Sequence, residues 1–436
     1  MKKARSGRTP LRRSRLPKQM PMEFEPRRPS PNTLEWEGQT HIVAGLFAGV
    51  GGIERGLTRA GHETKLLCEN DAAATAVLKA RFKEIPFHSD VKTLESLPRG
   101  TTLLAAGFPC QDLSQAGKTV GIAGSRSGLV GEVFRLIKKH ETPWVLLENV
   151  PFMLQLGRGE AMNVITASLE ALGYKWAYRV VNTQTFGLPQ RRRRVYLVAS
   201  LASDPRNVLF ADEAGPVEIP SSEGMAYGFY WTEGNTGLGW AEDALPTLKG
   251  GSALGIPSPP AIYLPDGQIA TPDIRDAERL QGFPIDWTKP AQKVAKKGVR
   301  WKLVGNAVSV PAAEWVGKRL REPRPLLDFE TVPLVDHRHW PTAAWNVGEG
   351  RVRVMASEWP VRRRYQPLQP FLKFPTTDLS AKATAGFLSR AEVAKLRYIP
   401  GFLDAIRAHL RKMGGPPPPS RKRTPKKDET SVTSVA

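Results

Sequence analysis

His41-Ile-Val-Ala-Gly-Leu-Phe47-Ala-Gly-Val-Gly-Gly52 is the stretch whose reading decides the fold. The apolar run 41–47 is too short for a buried helix and reads as a strand. The glycines after it let the backbone turn tightly, approach a ligand and set a helix N-terminus beside it. Many α/β proteins share such a turn, so it speaks for a fold class and not for a chemistry. Outward from it, strand-like runs at 64–69, 101–106, 144–148, 177–182 and 195–199 alternate with helical runs near 52–60, 71–82, 128–139 and 161–172. That alternation predicts a doubly wound, mostly parallel, Rossmann-like α/β sheet with helices on both faces.

The pattern divides the 436 residues further. Residues 1–38, rich in Arg, Pro and Ser, predict a disordered basic arm, and 39–200 the α/β domain. Residues 201–272, full of Gly, Pro and short apolar pieces, predict a small loop-rich unit. Helices at 276–282 and 311–320, the latter with Pro311 in its first turn, return the chain to the main domain over 273–324. An extension at 325–412 holds Trp340, Trp345, Trp359, Tyr365, Phe371 and Phe374, for which core packing is the expected role. Ser389-Arg-Ala-Glu392 has the form of a capping box opening a helix, and a second helix carries Phe402, Ile406 and Leu410 on one face. Residues 413–436 predict a disordered basic tail.

Apolar residues make up 41% of the chain, enough for a buried core. The net charge of +21 favours a polyanionic partner, although part of it sits in the two ends. Two cysteines, Cys68 and Cys110, exclude a disulfide framework and leave no ligand cluster for a metal. Cys68 reads as a small core residue. No apolar run has membrane-spanning length, and 1–20 lacks the apolar centre of a signal peptide, so a cytoplasmic location is expected.

Chemistry concentrates at strand ends. Glu69 is placed to take ribose hydroxyls and Asp90 an adenine amino group, which together outline a nucleoside pocket. Leu103-Leu-Ala-Ala-Gly-Phe-Pro-Cys110-Gln-Asp-Leu-Ser114 delivers a thiol to the carboxyl edge of the sheet, and a thiolate there is a strong nucleophile. The Gly- and Ser-rich stretch 111–128 has the composition of a loop that closes over a substrate. Glu148 directly follows apolar residues, an awkward place for an acid without a partner or a task. In Gln190-Arg-Arg-Arg-Arg194, strand alternation sends Arg192 and Arg194 to one face, and Arg191 and Arg193 to the other.

Six segments in order carry a resemblance: 46–52, Gly-Phe-Pro-Cys110-Gln, Glu148-Asn-Val, Gln190-Arg-Arg-Arg-Arg194, Arg279-Leu-Gln-Gly-Phe-Pro284 and Val304-Gly-Asn306-Ala-Val-Ser-Val310. Over roughly residues 40–320 the chain resembles the DNA (cytosine-5) methyltransferases. The resemblance implies site-specific methylation of a flipped-out cytosine at C5, from S-adenosylmethionine and through a covalent Cys110 adduct. It implies Cys110, Glu148, Arg192 and Arg194 as catalytic residues, with Cys110 attacking C6, Glu148 holding the N3/N4 edge, and Arg194 with Arg192 gripping O2. Phe47, Gly49, Gly51, Glu69, Asn70, Asp90, Pro109, Leu129 and Asn306 would line the cofactor pocket. Gln111, Ser114 and Gln190 would touch the substrate, no metal would take part, and 201–272 would be the target-recognition domain, with Tyr227, Tyr230, Trp231, Lys249 and Ser252 as candidate readers. Gly45 stands where the family usually has Asp. Implied partners are double-stranded DNA and a cognate restriction endonuclease, for a monomeric, nucleoid-associated protein with no membrane contact. The alternatives are an RNA cytosine-5 methyltransferase and a non-catalytic DNA-binding regulator of the same fold. A nicotinamide dehydrogenase would share the glycines but not explain Pro109-Cys110-Gln111.

Overall fold

The computed structural model describes residues 39–109, 128–217, 224–234, 237–251, 258–296, 298–335 and 338–415. The expected arm, most of the expected tail, and Cys110, Gln111, Ser114 and Ser252 lie outside the described residues.

The first half alternates as expected: β1 (Ile42–Leu46), α1 (Gly52–Arg59), β2 (Glu63–Cys68), α2 (Ala72–Arg81), β3 (Phe87–His88), β4 (Leu103–Ala106), α3 (Leu129–His140), β5 (Trp144–Asn149), α4 (Glu160–Ala171), β6 (Lys175–Asn182), β7 (Gln190–Arg191) and β8 (Arg193–Ser200). The two central strands β1 and β4 are almost wholly buried, which is why they read as apolar runs and not as alternating ones. Val130, Val133 and Leu136 of α3 and Met162, Ile165 and Leu169 of α4 cover one face of the sheet. Ile53 and Leu57 of α1 cover the other.

β9 (Tyr227–Phe229), β10 (Ala241–Glu242), β11 (Leu245–Pro246), β12 (Ala261–Tyr263) and β13 (Ile269–Thr271) follow, then α5 (Ile274–Leu280), α6 (Val299–Asn306) and α7 (Val310–Arg321). Trp315 and Val316 of α7 pack beside α1 on the sheet. The extension supplies β14 (Thr331–Pro333), β15 (Ala343–Asn346), β16 (Val352–Val354), β17 (Thr377–Asp378), α8 (Ala381–Ala391) and α9 (Phe402–Lys412).

Two larger sheets organise most of these strands, and β7 and β11 pair in a parallel two-stranded sheet of their own. The large one has ten, in the order β14-β16-β15-β6-β8-β5-β4-β1-β2-β3. From β5 to β3 neighbours run parallel, and from β5 through β8 to β14 they run antiparallel. The small one has five, in the order β10-β9-β12-β13-β17. The extension therefore joins both: β15 pairs with β6 and β17 with β13. The expected packing of its aromatics holds for Trp340, Trp345 and Phe371, all buried.

One expectation is overturned. No helix opens at Ser389: α8 starts at Ala381, where the Ser380 side chain accepts from the Ala383 N–H, and Ser389 lies buried inside it. The alanines before Ser389 already favour helix, so the turn is nucleated upstream of the Ser-x-x-Glu pattern. The helix after it bears Phe402, Ile406 and Leu410 on its buried face as expected.

Candidate active site

The parallel register brings the chemistry to one edge. Leu46 lies opposite both Cys68 and Ala106, Ala106 opposite Leu147, and Cys68 opposite His88. Phe47, Glu69, Gly107–Pro109 and Val150 thus leave the sheet side by side, at the carboxyl ends where such folds place ligands.

The Gly-rich loop is built around the Glu69 carboxylate. One oxygen accepts the Gly49 N–H at 2.8 Å and the other the Asp71 N–H at 2.7 Å. Phe47 takes a left-handed backbone with φ of 52°, a conformation that costs a non-glycine residue energy and gathers at ligand clamps. Gly49 (φ 56°) has nothing within 4 Å of the position a Cβ would occupy, so there is open space beside it. Asp90 caps a short 3₁₀ turn by accepting the Lys92 N–H. Phe47, Gly49, Glu69, Asp90 and Leu129 are half-buried, Gly51 is buried, and Asn70, Pro109 and Asn306 are exposed.

The late segments close on this loop. Trp287 donates its indole N–H to the Val50 carbonyl at 2.8 Å, and a Cβ on Gly52 would overlap the Val308 carbonyl. Gln281 joins the two late segments, giving its amide N–H to the Val304 carbonyl and accepting the Val310 N–H on its own.

Beside the loop stands an acid and a base. Glu148 Oε1 lies 3.2 Å from Arg194 Nε, both side chains largely out of water. That oxygen has no hydrogen-bond partner among the described residues, so the contact is electrostatic and leaves a lone pair aimed at no donor. Burial pushes the Glu148 carboxyl up from its ordinary value, against the pull of Arg194 and Arg192. The carboxyl sits over the segment that leads to Cys110: the Cβ position of Gly107 is 3.5 Å from Glu148 Oε2 and 3.6 Å from Val308 Cγ2. Asn149 anchors the same segment by donating its side-chain amide to the Phe108 carbonyl at 3.0 Å. The place of Asn149 between Glu148 and Val150 is the one sequence signal of this role.

Two expected side chains are occupied elsewhere. Arg192 and Arg194 share a buried face while Arg191 and Arg193 are exposed, as alternation required. Arg192 is fully buried, however, and donates to the carbonyls of Leu248 (2.9 Å), Gly305 (3.2 Å) and Ala307 (2.6 Å). A guanidinium held by three carbonyls is a brace, and its Nε has no hydrogen-bond partner among the described residues. Gln190 is likewise buried; its amide donates to the Leu280 carbonyl and accepts the Leu248 N–H. Among the proposed readers, Tyr230 is buried, Trp231 donates to the Pro259 carbonyl, and Tyr227 stacks on Trp240 with ring centres 4.9 Å apart. Lys249 is exposed, pairs with Glu233 and lies 4.2 Å from the centre of the Tyr230 ring.

Residues 42–224 match the family described as C-5 cytosine-specific DNA methylase. Type II methyltransferase M2.BsuMI of Bacillus subtilis (strain 168) is 46% identical over 379 residues, which cover 84% of this chain and 97% of the relative. The chain belongs to the C-5 cytosine-specific DNA methylases. Type II methyltransferase M.MspI of Moraxella sp is 27% identical over 294 residues, 63% of this chain and 69% of the relative. Among solved structures, S. pombe Dnmt2 methyltransferase covers 65% of this chain and 98% of its own at 16% identity, with a TM-score of 0.45. A DNA cytosine-5 methyltransferase acts on DNA, and neither the RNA enzyme nor the non-catalytic regulator is favoured by these relatives. This methylase departs from the usual pattern at Gly45, and the structure fills the gap. A Cβ there would overlap the carboxyl of Glu54, which reaches back from the first turn of α1 into the vacated space.

Among the described residues no group of His, Cys, Asp and Glu could hold a metal ion, and no helix is long and apolar enough to cross a membrane.

Proposed function

We propose that this methylase modifies a cytosine rotated out of duplex DNA, with Cys110, Glu148 and Arg194 around one ring. The observation that carries the reading is the buried Glu148–Arg194 pair over Gly107, three residues before the thiol, with one carboxyl oxygen left without a donor. C6 of a stacked cytosine is out of reach of any side chain, so the base leaves the helix at a cost of roughly a few kcal/mol.

The Cys110 thiolate adds to C6, and the displaced electron pair makes C5 nucleophilic. Glu148, its carboxyl pushed up from the ordinary value by burial, supports N3 and the N4 amino group, while the Arg194 guanidinium steadies O2 as charge moves onto the ring. C5 then takes the methyl group and gives up its proton to solvent water, and the C6–S bond breaks to return the thiolate. Arg192 serves as support for these groups and not as a contact to O2.

S-adenosylmethionine, when bound, supplies the activated methyl group. Its fit rests on the open side of Gly49, the Glu69 carboxylate pinned beside it, and the half-buried Phe47, Asp90 and Leu129. Gly51, Asn70, Pro109 and Asn306 complete the pocket. Residues 201–272 with β17 read the target. We further assign the protein as a cytoplasmic, nucleoid-associated monomer that protects DNA against a cognate restriction endonuclease.

Cys110→Ala tests the mechanism directly. Methyl transfer to duplex DNA should vanish while duplex affinity stays within about threefold; retained transfer would remove Cys110 from the chemistry.

A further inference from the structure

Arg192 holds together two segments far apart in sequence. Its guanidinium donates to the carbonyl of Leu248, inside the proposed target-recognition region 201–272, and to those of Gly305 and Ala307, which flank Asn306. The segments also touch directly. A Cβ on Gly305 would overlap the Lys249 carbonyl group, and a Cβ on Gly250 would overlap the Asn306 side chain. Neither glycine has a left-handed backbone, so what each supplies is closeness, not conformational freedom. Lys249, on the same turn, is exposed toward solvent. One three-residue turn thus bears a candidate DNA contact and, on the next residue, the neighbour of a candidate cofactor contact.

We propose that the turn 248–250, braced by Arg192, positions Asn306, so that DNA held at this turn and cofactor held at Asn306 strengthen each other's binding. The inference rests on the pocket assigned above. A turn packed this tightly moves as a unit with the residue it abuts, and ordering it from one side lowers the cost of ordering it from the other. Linkage makes the effect reciprocal: duplex tightens cofactor binding by the factor by which cofactor tightens duplex binding. Arg192 and Gly250 are positioning residues, since neither is assigned to cofactor or base.

The test uses the full chain, S-adenosylhomocysteine as the cofactor probe, and a duplex bearing the site mapped from 5-methylcytosine in DNA of expressing cells. Wild type should bind the probe about 5- to 150-fold more tightly with duplex present. Gly250→Ala crowds Asn306 and should weaken the probe about fivefold or more without DNA. Duplex affinity alone should stay within about twofold, and the coupling factor should fall toward one. Arg192→Lys should lower the coupling factor as well, with the thermal midpoint showing that the protein is folded. Asn306→Ala, at an exposed position, should abolish coupling even if the glycine variant fails to fold. A coupling factor of one in wild type, or the wild-type factor retained in Gly250→Ala and Asn306→Ala, would overturn the proposal. If wild type binds neither probe nor duplex, the pocket assignment itself falls and takes the proposal with it.

Discussion

Glu54 occupies the space that a side chain at residue 45 would need. Gly45 leaves room on β1, and the Glu54 carboxyl fills it, fully buried and with neither oxygen hydrogen-bonded among the described residues. Desolvation pushes this carboxyl up to about 8. The folded state then keeps a proton that the unfolded chain releases near pH 4.5. Stability should therefore fall as pH rises from about 4.5 to about 8 and level off above that, a total on the order of a few kcal/mol. Glu54→Gln should flatten that slope and raise the melting temperature at pH 8, as read by denaturation across the pH range. An unchanged slope would place the titration elsewhere. At Glu148 the same burial serves chemistry, and Glu148→Gln should lower kcat by roughly 10²–10³-fold with little loss of duplex affinity. At this scale the sequence was informative about Glu148 and Arg194, because an acid after a buried strand and alternating arginines have few structural uses. It marked Gly45 as unusual but was silent on the brace at Arg192 and on the place Glu54 takes beside Gly45. Those depend on which backbone carbonyl or void comes within reach, and nothing local in the chain records it.

Among elements, the strands and helices of the first half lie within one or two residues of their expected limits, since buried runs and amphipathic periods are local signals. The start of α8 was misread because a capping pattern is short enough to recur inside a helix. More was hidden in the extension, where two strands pair with residues more than a hundred positions earlier: Ala343 lies opposite Arg179, and Thr377 opposite Thr271. Its two helices complete the small sheet's core. Phe402 is wholly buried and meets Phe229, Trp240 and Tyr263, with ring centres 5.0–5.5 Å apart. Truncating it to Ala should cost about 3–5 kcal/mol. Because the lost contacts lie in the proposed target-recognition unit, site selection should degrade before cofactor binding does, which equilibrium unfolding and methylation-site sequencing would separate. Equal loss of both would mean that the two sheets unfold as one.

For the whole molecule, the extension adds strands to both the large sheet, at whose edge the cofactor is proposed to bind, and the small sheet, proposed to read the DNA. The net charge of +21 predicts that the log of the duplex association constant falls steeply and linearly with the log of salt concentration. Titration at several salt levels would read that slope. The proposed chemistry makes a narrower demand: thiol, acid and guanidinium must meet at one extruded cytosine. The most direct measurement is covalent capture on a duplex carrying 5-fluorocytosine at the target position, where the fluorine cannot depart as the proton does. With S-adenosylmethionine present, the account predicts a complex that survives denaturation and maps by peptide mass to Cys110, and that Glu148→Gln forms more slowly. Methylation of the ordinary duplex without any captured complex, or capture on a different residue, would contradict it.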